Sequence, residues 1–319
     1  MRALAVRLPN WLGDTVMAVP ALRALRATFT DARVLVAGPW ATLLAGQGLA
    51  ETLVAYPRAW SARLAAADVV RRAGPDTAVV LPNSLESALA AWYWGARRRV
   101  GFAGGGRPLL LTDAPPLPQP RRHQVDEYLL LAEACGAVAT DRTPRLAAPP
   151  ADGPERRGVR ALLAQAGAPR DGRPLVGVHL GAAYGPAKLW PLPRVREFCA
   201  LAAREEIAVV LVGAPGDAAA AAEVTATALL SEVDALISGD TGVAHLAAAL
   251  GTPAVTLFGP TDPALSAPRG PGRVLRHPVP CAPCFYRRCP IDHPCLRDLA
   301  PAVVRDAVRA VLDRVEAGR

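Results

Sequence analysis

A short polar turn between two apolar segments is the first candidate binding site in this sequence. The turn, Ser238-Gly239-Asp240-Thr241-Gly242, follows apolar residues 235–237 and precedes a helix of small residues. Residues 254–258 then form a second apolar strand, completing a strand–turn–helix–strand unit of a parallel sheet. Free N–H groups at a helix start favour an anion, and parallel sheets bind ligands beyond the carboxyl ends of their strands. The turn predicts a phosphate or nucleotide subsite, and its context favours a ligand-binding His245 over an ordinary buried histidine.

A second polar loop, from Asn10 to Asp14, ends the first apolar strand and opens the first helix. Asp14 could act as a general base, because a carboxylate at the carboxyl end of a parallel strand lies at the ligand-binding edge of the sheet. Asp14 could equally cap the helix, since aspartate is a preferred N-cap residue. The residues alone leave both interpretations open.

Lys188 closes a loop of small residues, GAAYGPAK, which follows the apolar strand 175–180. A lysine supplies a compact positive charge that suits a phosphate, although a lone lysine on a loop is usually only solvated. The chain has neither GxxxxGK[ST] nor GxGxxG between a strand and a helix, which disfavours a Walker A site and a nicotinamide dehydrogenase. It also has no D-x-D, so a metal-bridged diphosphate is not indicated.

Basic residues cluster in the first half of the chain. They are Arg97, Arg98, Arg99, Arg107, Arg121, Arg122 and His123. Such a cluster is either a solvated face or a surface for an acidic partner. With the net charge of +8, it predicts nucleic acid, an anionic membrane surface or a phosphorylated substrate. Few aromatic residues lie between these charges, which disfavours single-stranded nucleic acid.

Four cysteines, Cys281, Cys284, Cys289 and Cys295, lie close together near the end of the chain, with His293 among them. The pattern C-x2-C-x4-C-x5-C could bind zinc, but it is tighter than the usual zinc-ribbon spacing. Disulfides, which are uncommon in cytosol, and free thiols are the alternatives. The sequence does not choose among these, and no metal is assigned.

The elements that must position these residues alternate between apolar strands and amphipathic helices along 319 residues. This alternation predicts an α/β fold with parallel sheets, and the length allows two domains. The Pro- and Ala-rich segment 143–154 is the best linker, so we predict Rossmann-like domains at residues 1–155 and 156–319, facing a central cleft. Pro20, inside the helical run 15–29, predicts a kink or two shorter helices. Neither a signal peptide nor an apolar run of about 18 residues is present, so we expect a cytoplasmic protein.

Taken together, these motifs resemble the bacterial glycosyltransferase family 9 heptosyltransferases. The resemblance is carried by RLPNWLGDTVMAVPALRALR (7–26), LPNSLESALAAWYWGARRRVGF (81–102), GAAYGPAKLWP (181–191) and SGDTGVAHLAAALGTPAVTLFGPTDP (238–263), supported by GRPLLLTDA (106–114) and CAPCFYRRCPIDHPCL (281–296). These motifs span nearly the whole chain in the expected order. The resemblance implies a GT-B architecture in which the N-terminal domain binds the acceptor and the C-terminal domain binds the nucleotide sugar.

The resemblance also implies an activity. The family transfers L-glycero-D-manno-heptose from ADP-heptose to the lipopolysaccharide inner core, with inversion and without a cofactor. By motif match Asp14 takes the role of general base and Lys188 that of donor-phosphate ligand. The other implied donor-binding residues are Ala183, Tyr184, Asp217, Asp240, Thr241, Gly242 and His245. For the acceptor we expect Asn10, Trp11, Arg98, Arg107 and His123. The expected partners are ADP-heptose, the anionic inner-core acceptor and, peripherally, the cytoplasmic face of the inner membrane, but not nucleic acid.

Three features depart from the family pattern. Leu180 stands where the family usually has Pro, and Gly239 where it has Asn. Only about two dozen residues separate Val212 from Ser238, too few for the strand and loop that the family places there. Either a strand near the adenine pocket has been lost or residues are absent from the sequence. The alternatives are therefore a family 9 enzyme with another donor or acceptor, and a non-catalytic nucleotide-sugar-binding protein.

Overall fold

The computed structural model of the chain describes residues 3–57, 60–168, 171–213 and 226–317. The chain forms two compact units, residues 1–144 and 145–319, whereas the sequence placed the boundary between residues 155 and 156. The backbone N–H of Leu146 donates to the carbonyl oxygen of Ala249 at 2.9 Å. Residues that directly follow the division are therefore already tied to the second unit.

The first unit is a parallel five-stranded sheet with helices. Its elements are β1 (Ala3–Arg7), α1 (Leu12–Met17), α2 (Val19–Thr28), β2 (Arg33–Gly38), β3 (Thr52–Ala55), α3 (Trp60–Arg72), β4 (Thr77–Val80), α4 (Leu85–Tyr93), β5 (Arg98–Val100) and α5 (Gln124–Ala134). The strands lie in the order β3-β2-β1-β4-β5. Because β1 is central, the loop that follows it lies in the middle of the carboxyl edge of the sheet.

The second unit repeats this architecture. Its elements are α6 (Pro154–Gln165), β6 (Leu175–His179), α7 (Leu192–Arg204), β7 (Ala208–Val212), β8 (Ala235–Gly239), α8 (Gly242–Ala249), β9 (Ala254–Phe258), α9 (Pro263–Ser266), β10 (Gly272–Arg276), α10 (Pro294–Arg297) and α11 (Pro301–Ala317). The strand order is β10-β9-β8-β6-β7, and every pair is parallel. Two parallel-sheet α/β units confirm the predicted fold class.

Helix packing explains why the central strands are buried throughout. All residues of β1, β4, β8 and β9 are buried, as expected for parallel strands covered on both faces. In the second unit, α7 and α11 pack together against the sheet around Phe198, Val304 and Val308. This packing leaves the loops at the carboxyl ends of the strands as the places where polar side chains gather.

Local sequence patterns predicted the longer helical segments correctly but not the short strands. Pro20 lies in the first turn of α2, and the chain breaks at Ala18 into the two short helices α1 and α2, which confirms the predicted interruption. Strands β3, β5 and β10 were missed. Each is three to five residues long, and β5 is Arg-Arg-Val, so its composition did not reveal a strand.

The segment between β7 and β8 bears on the predicted loss of a strand. In the described part of the second unit the sheet has five strands, and β7 forms one edge. Residues 214–225, which include the predicted donor ligand Asp217, lie outside the described residues.

No helix among the described residues is long and apolar enough to cross a membrane.

Candidate functional site

The loop after β1 places Asp14 in the first turn of α1. The N-cap residue of this helix is Trp11, which makes no side-chain capping bond, and Asp14 follows inside the helix. The capping interpretation of Asp14 is therefore wrong. A carboxylate in the first turn is stabilised by the helix dipole.

Asp14 also has a neighbour from another element. Helix α5 packs against α1, and its buried Tyr128 lies near enough to the Asp14 carboxylate to be affected by its charge. Burial first, and then the negative charge of Asp14, raise the pKa of Tyr128 well above its ordinary value. Tyr128 therefore stays a hydrogen-bond donor at neutral pH. Sequence reasoning missed this residue because it belongs to a distant apolar helix without a motif of its own.

Arg7, at the end of β1, makes a hydrogen bond to the same loop. Its side chain is only 2% exposed, and Nη2 donates to Asn10 Oδ1 at 2.9 Å and lies 3.4 Å from Glu86 Oε2. The guanidinium also lies over the Tyr56 ring, 4.9 Å from its centroid. Burial lowers the pKa of Arg7, and the nearby Glu86 carboxylate opposes that effect. Asn10, predicted to bind the acceptor, is thus a partner of Arg7 in this structure.

Arg107 is a second buried cation of the first unit, and it is poorly satisfied. Its side chain is 1% exposed, and Nη1 donates to Asn83 Oδ1 at 3.0 Å. Nε and Nη2 have no hydrogen-bond partner in the described structure. Burial lowers the pKa of Arg107. A buried charge without partners is costly, and the acceptor role of Arg107 stays a prediction.

The remaining predicted acceptor residues have different surroundings. Arg98 donates to Asp113 Oδ1 at 3.0 Å and to the Ala134 carbonyl at 2.7 Å. Its hydrogen bond with Asp113 raises the pKa of Arg98. His123 is the N-cap of α5 and accepts from the N–H of Val125, whereas Trp11 is exposed beside Asp14. Asn10 and Trp11 therefore share a loop with Asp14, while Arg98 and His123 make structural contacts, and an acceptor role for them stays a prediction.

In the second unit the structure brings Lys188 and Asp240 together. Lys188 Nζ lies 2.6 Å from Asp240 Oδ2 and 3.0 Å from the Asp240 carbonyl oxygen. Thr261 Oγ1 donates to the same carboxylate oxygen at 2.7 Å. Both charged side chains are mostly buried. Lys188, the residue predicted to bind phosphate, therefore lies at the turn between β8 and α8 and is paired with a carboxylate.

Gly239 explains how the two segments approach so closely. A Cβ built at this position would lie 2.5 Å from the backbone carbonyl oxygen of Lys188. Such a contact would force the Lys188 loop away from β8. The glycine that departs from the family pattern therefore fits this particular backbone arrangement.

A cluster of two hydroxyls and an imidazole lies beside this pair. Ser238 Oγ is 2.8 Å from Thr241 Oγ1 and 3.3 Å from His179 Nδ1. Burial lowers the pKa of His179 to about 4, so its imidazole is neutral at pH 7. Sequence reasoning missed His179, although a histidine ending an otherwise apolar strand was a usable signal. Thr241 is the N-cap of α8 but makes no side-chain capping bond, so its hydroxyl is directed to the cluster.

The other predicted donor residues among those described lie in the same two loops or directly after them. Gly242 is the first residue of α8, and His245 is buried within that helix; donor binding by His245 stays a prediction. Tyr184 donates to the Phe285 carbonyl oxygen at 2.6 Å, and its ring lies 4.6 Å from Lys188 Nζ. Ala183 is exposed next to Tyr184.

The four clustered cysteines are free thiols. Burial raises the pKa of Cys295, and the other three cysteines add to the effect. Among the described residues no group of three or more His, Cys, Asp or Glu side chains is arranged to hold a metal ion. The structure therefore gives the zinc hypothesis no support.

Comparison with known proteins bears out the resemblance. Residues 63–294 match the sequence model of glycosyltransferase family 9 (heptosyltransferase). Lipopolysaccharide heptosyltransferase 2 of Salmonella typhimurium is 29% identical over 84% of this chain and 86% of its own length, and that of Escherichia coli K12 gives the same values. The structure of E. coli ADP-heptose lps heptosyltransferase II is 26% identical, with a TM-score of 0.79 over 98% of this chain and 99% of that one. The chain therefore belongs to glycosyltransferase family 9, the heptosyltransferase family, and is a glycosyltransferase.

Proposed function

We propose that the protein transfers L-glycero-D-manno-heptose from ADP-heptose to the heptose of the lipopolysaccharide inner core, with inversion. The observation that carries the proposal is the buried Lys188–Asp240 pair at the N-terminus of α8. In this proposal Lys188 and the helix amides together stabilise the departing diphosphate. The family relatives supply the heptose and the inner core, because they are named lipopolysaccharide heptosyltransferases.

The chemistry is a single displacement. The acceptor hydroxyl oxygen attacks the anomeric carbon, the bond from that carbon to the ADP oxygen breaks, and ADP leaves with the electron pair. Asp14 accepts the hydroxyl proton. The neutral Tyr128 hydroxyl near Asp14 would help to orient the carboxylate, which matters because a general base acts only within hydrogen-bond reach of its proton. Lys188 and the first turn of α8 stabilise the charge that develops on ADP.

Arg107 is the strongest of the predicted acceptor residues. Two of its nitrogens are buried without hydrogen-bond partners. A carboxylate or phosphate on the acceptor would supply the missing hydrogen-bond acceptors. A guanidinium suits such groups because it donates in a planar fork. Arg107 therefore accounts for selectivity toward an anionic acceptor on the first unit.

A lipid-linked acceptor requires the enzyme to work at the cytoplasmic face of the inner membrane, and α4 offers a suitable surface. Leu85, Leu89 and Trp92 are exposed at a helical spacing that places them on one face. The Arg97 side chain, just beyond the helix, is 88% exposed. Apolar side chains with tryptophan and nearby arginine are typical of contact with an anionic bilayer surface.

The direct test of the activity is heptosyl transfer from ADP-heptose to heptosyl-Kdo2-lipid A. Asp14→Asn should lower kcat by about 10³-fold, as expected for loss of a general base, and should leave ADP-heptose binding unchanged. Asp31→Asn, an exposed carboxylate in the same unit, is the matched control. Undiminished transfer by the Asp14 variant would refute the base assignment.

The same assay separates the alternatives. Transfer from a UDP- or GDP-sugar, but not from ADP-heptose, would identify another family 9 activity. Binding of ADP-heptose by the wild type without any turnover would identify a nucleotide-sugar-binding protein instead.

The membrane surface is tested by flotation with vesicles of phosphatidylglycerol and phosphatidylethanolamine. The triple variant in which serine replaces Leu85, Leu89 and Trp92 should lose most of its vesicle binding. Leu162→Ser, which changes an exposed leucine of α6, should bind as the wild type does. Equal binding by the triple variant and the control would rule out α4 as the contact surface.

A further inference from the structure

The cysteine-rich segment, residues 281–295, is packed directly on the loop that carries the predicted donor ligands. Tyr184 donates its hydroxyl to the Phe285 carbonyl oxygen at 2.6 Å. The backbone N–H of Ala187 donates to the carbonyl oxygen of Arg287 at 3.1 Å. Two hydrogen bonds therefore fix the segment against the residues that lead into Lys188.

A glycine makes this approach possible. Gly185 has φ of +150°, and a Cβ built there would lie 2.6 Å from the Arg287 carbonyl oxygen. Any other residue at position 185 would push the two segments apart. The contact is thus built into the GAAYGPAK loop.

Two cations share the Tyr184 ring as a result. Lys188 Nζ lies 4.6 Å and Arg287 Cζ 5.3 Å from its centroid. Lys188 is paired with Asp240, whereas Arg287 is exposed and has no carboxylate partner in the described part of the chain. The charge of Lys188 is largely balanced inside the protein, and that of Arg287 is not.

We propose that Arg287 is a second cationic ligand for the diphosphate of the nucleotide donor, an inference that rests on the proposed function. A diphosphate carries more than one negative charge at neutral pH. A lysine already paired with a carboxylate, together with the partial charge of a helix N-terminus, balances only part of that charge. An arginine held over the Tyr184 ring by a cation–π contact adds an unbalanced charge with two parallel donors. The cysteine-rich segment thereby forms one wall of the donor site.

Calorimetric binding of ADP, AMP and adenosine to the full-length protein tests this role. Arg287→Gln should weaken ADP binding by about tenfold, weaken AMP binding less, and leave adenosine binding unchanged. Arg287→Lys should recover part of the ADP affinity. Arg288→Gln changes the neighbouring exposed arginine and should match the wild type. Gly185→Ala, with Arg287 intact, should weaken ADP binding because it separates the two segments.

The outcomes distinguish this inference from the proposed function. Failure of the wild type to bind ADP would overturn both. Wild-type ADP binding with equal affinities for the Arg287 and Arg288 glutamine variants would overturn only the role of Arg287. An equal loss of ADP and adenosine affinity in Arg287→Gln would show a structural effect and would also overturn it. If Arg287→Gln does not fold, the ratio of ADP to AMP affinity in Arg287→Lys decides by the same criterion.

Discussion

In the second unit the Lys188 ammonium lies 2.6 Å from the Asp240 carboxylate, whereas in the first unit the more deeply buried Arg107 guanidinium donates to the amide oxygen of Asn83. Both residues follow strands of a parallel sheet, and both were predicted to meet anionic substrates. The second unit has a complete ion pair before any ligand binds. The first unit has a cation whose remaining donors have no partner in the described structure.

This difference separates two ways of preparing a site for an anion. A buried ion pair can be close to neutral for folding, but removing one member leaves the other charge buried and unpaired, which is strongly destabilising. An unpaired cation costs stability in the free protein and is satisfied only by its ligand. The proposed donor site is therefore expected to depend on both members of its pair for stability, and the proposed acceptor site to trade stability for binding.

The largest effect is expected from Lys188→Met. Loss of the ammonium leaves the Asp240 carboxylate buried with Thr261 as its remaining side-chain partner, and should lower the free energy of unfolding by about 3 kcal/mol. ADP binding should also be lost. Adding Asp240→Asn should restore most of the stability but not the ADP binding. Urea unfolding measures the stability, and calorimetry measures the ADP binding. If Lys188→Met alone were as stable as the wild type, the proposed dependence of the second unit on its ion pair would be wrong.

The next effect concerns the backbone that supports the pair. Gly239→Ala places a Cβ against the Lys188 carbonyl oxygen and should cost about 2 kcal/mol, in the range of other overpacking substitutions. Gly158→Ala in α6 meets open space and serves as the control. Thermal unfolding of the two variants should therefore shift in different directions, because alanine is favoured in an unobstructed helix. Equal unfolding temperatures would show that the close approach does not contribute.

A pH effect is expected from His179. Its pKa is about 4 in the folded protein because of burial, against about 6.5 in an unfolded chain. The unfolded state therefore binds the proton more readily, and the free energy of unfolding falls as pH drops from about 6.5 toward 4, by on the order of 2 kcal/mol. His179→Gln should lack this component. Urea titrations of both proteins across this range measure it, and parallel pH profiles would contradict it.

The smallest effect, and one of opposite sign, is expected from Arg107→Met. Removing an unsatisfied buried charge should leave stability unchanged or raise it by about 1 kcal/mol, while the KM for the acceptor should rise. Arg98→Met removes an arginine that is paired with Asp113 and should instead lower stability slightly. Urea unfolding decides between the two signs. A large loss of stability in Arg107→Met would show that the first unit satisfies its cation as the second one does.

Much of the fold could be predicted from local patterns. Strands β6 and β9 lie within the predicted segments 175–180 and 254–258, because apolar segments bounded by Gly or Pro leave little ambiguity. Strand β5 could not be recognised, because it is short and carries two arginines whose charges are satisfied by distant groups such as Asp113. Its place at the edge of the sheet is a property of tertiary packing.

The candidate sites divide in the same way. The sequence alone determined the loops that carry Asp14, Lys188 and Asp240, because a polar turn after an apolar strand lies at the carboxyl edge of a parallel sheet. Only the tertiary structure decided the partners: Tyr128 for Asp14, Asp240 for Lys188 and Arg287 for the Tyr184 ring. These contacts follow from which strands are neighbours, such as β6 beside β8. Strand order is set by burial of the whole core, so no local pattern in the sequence specifies it.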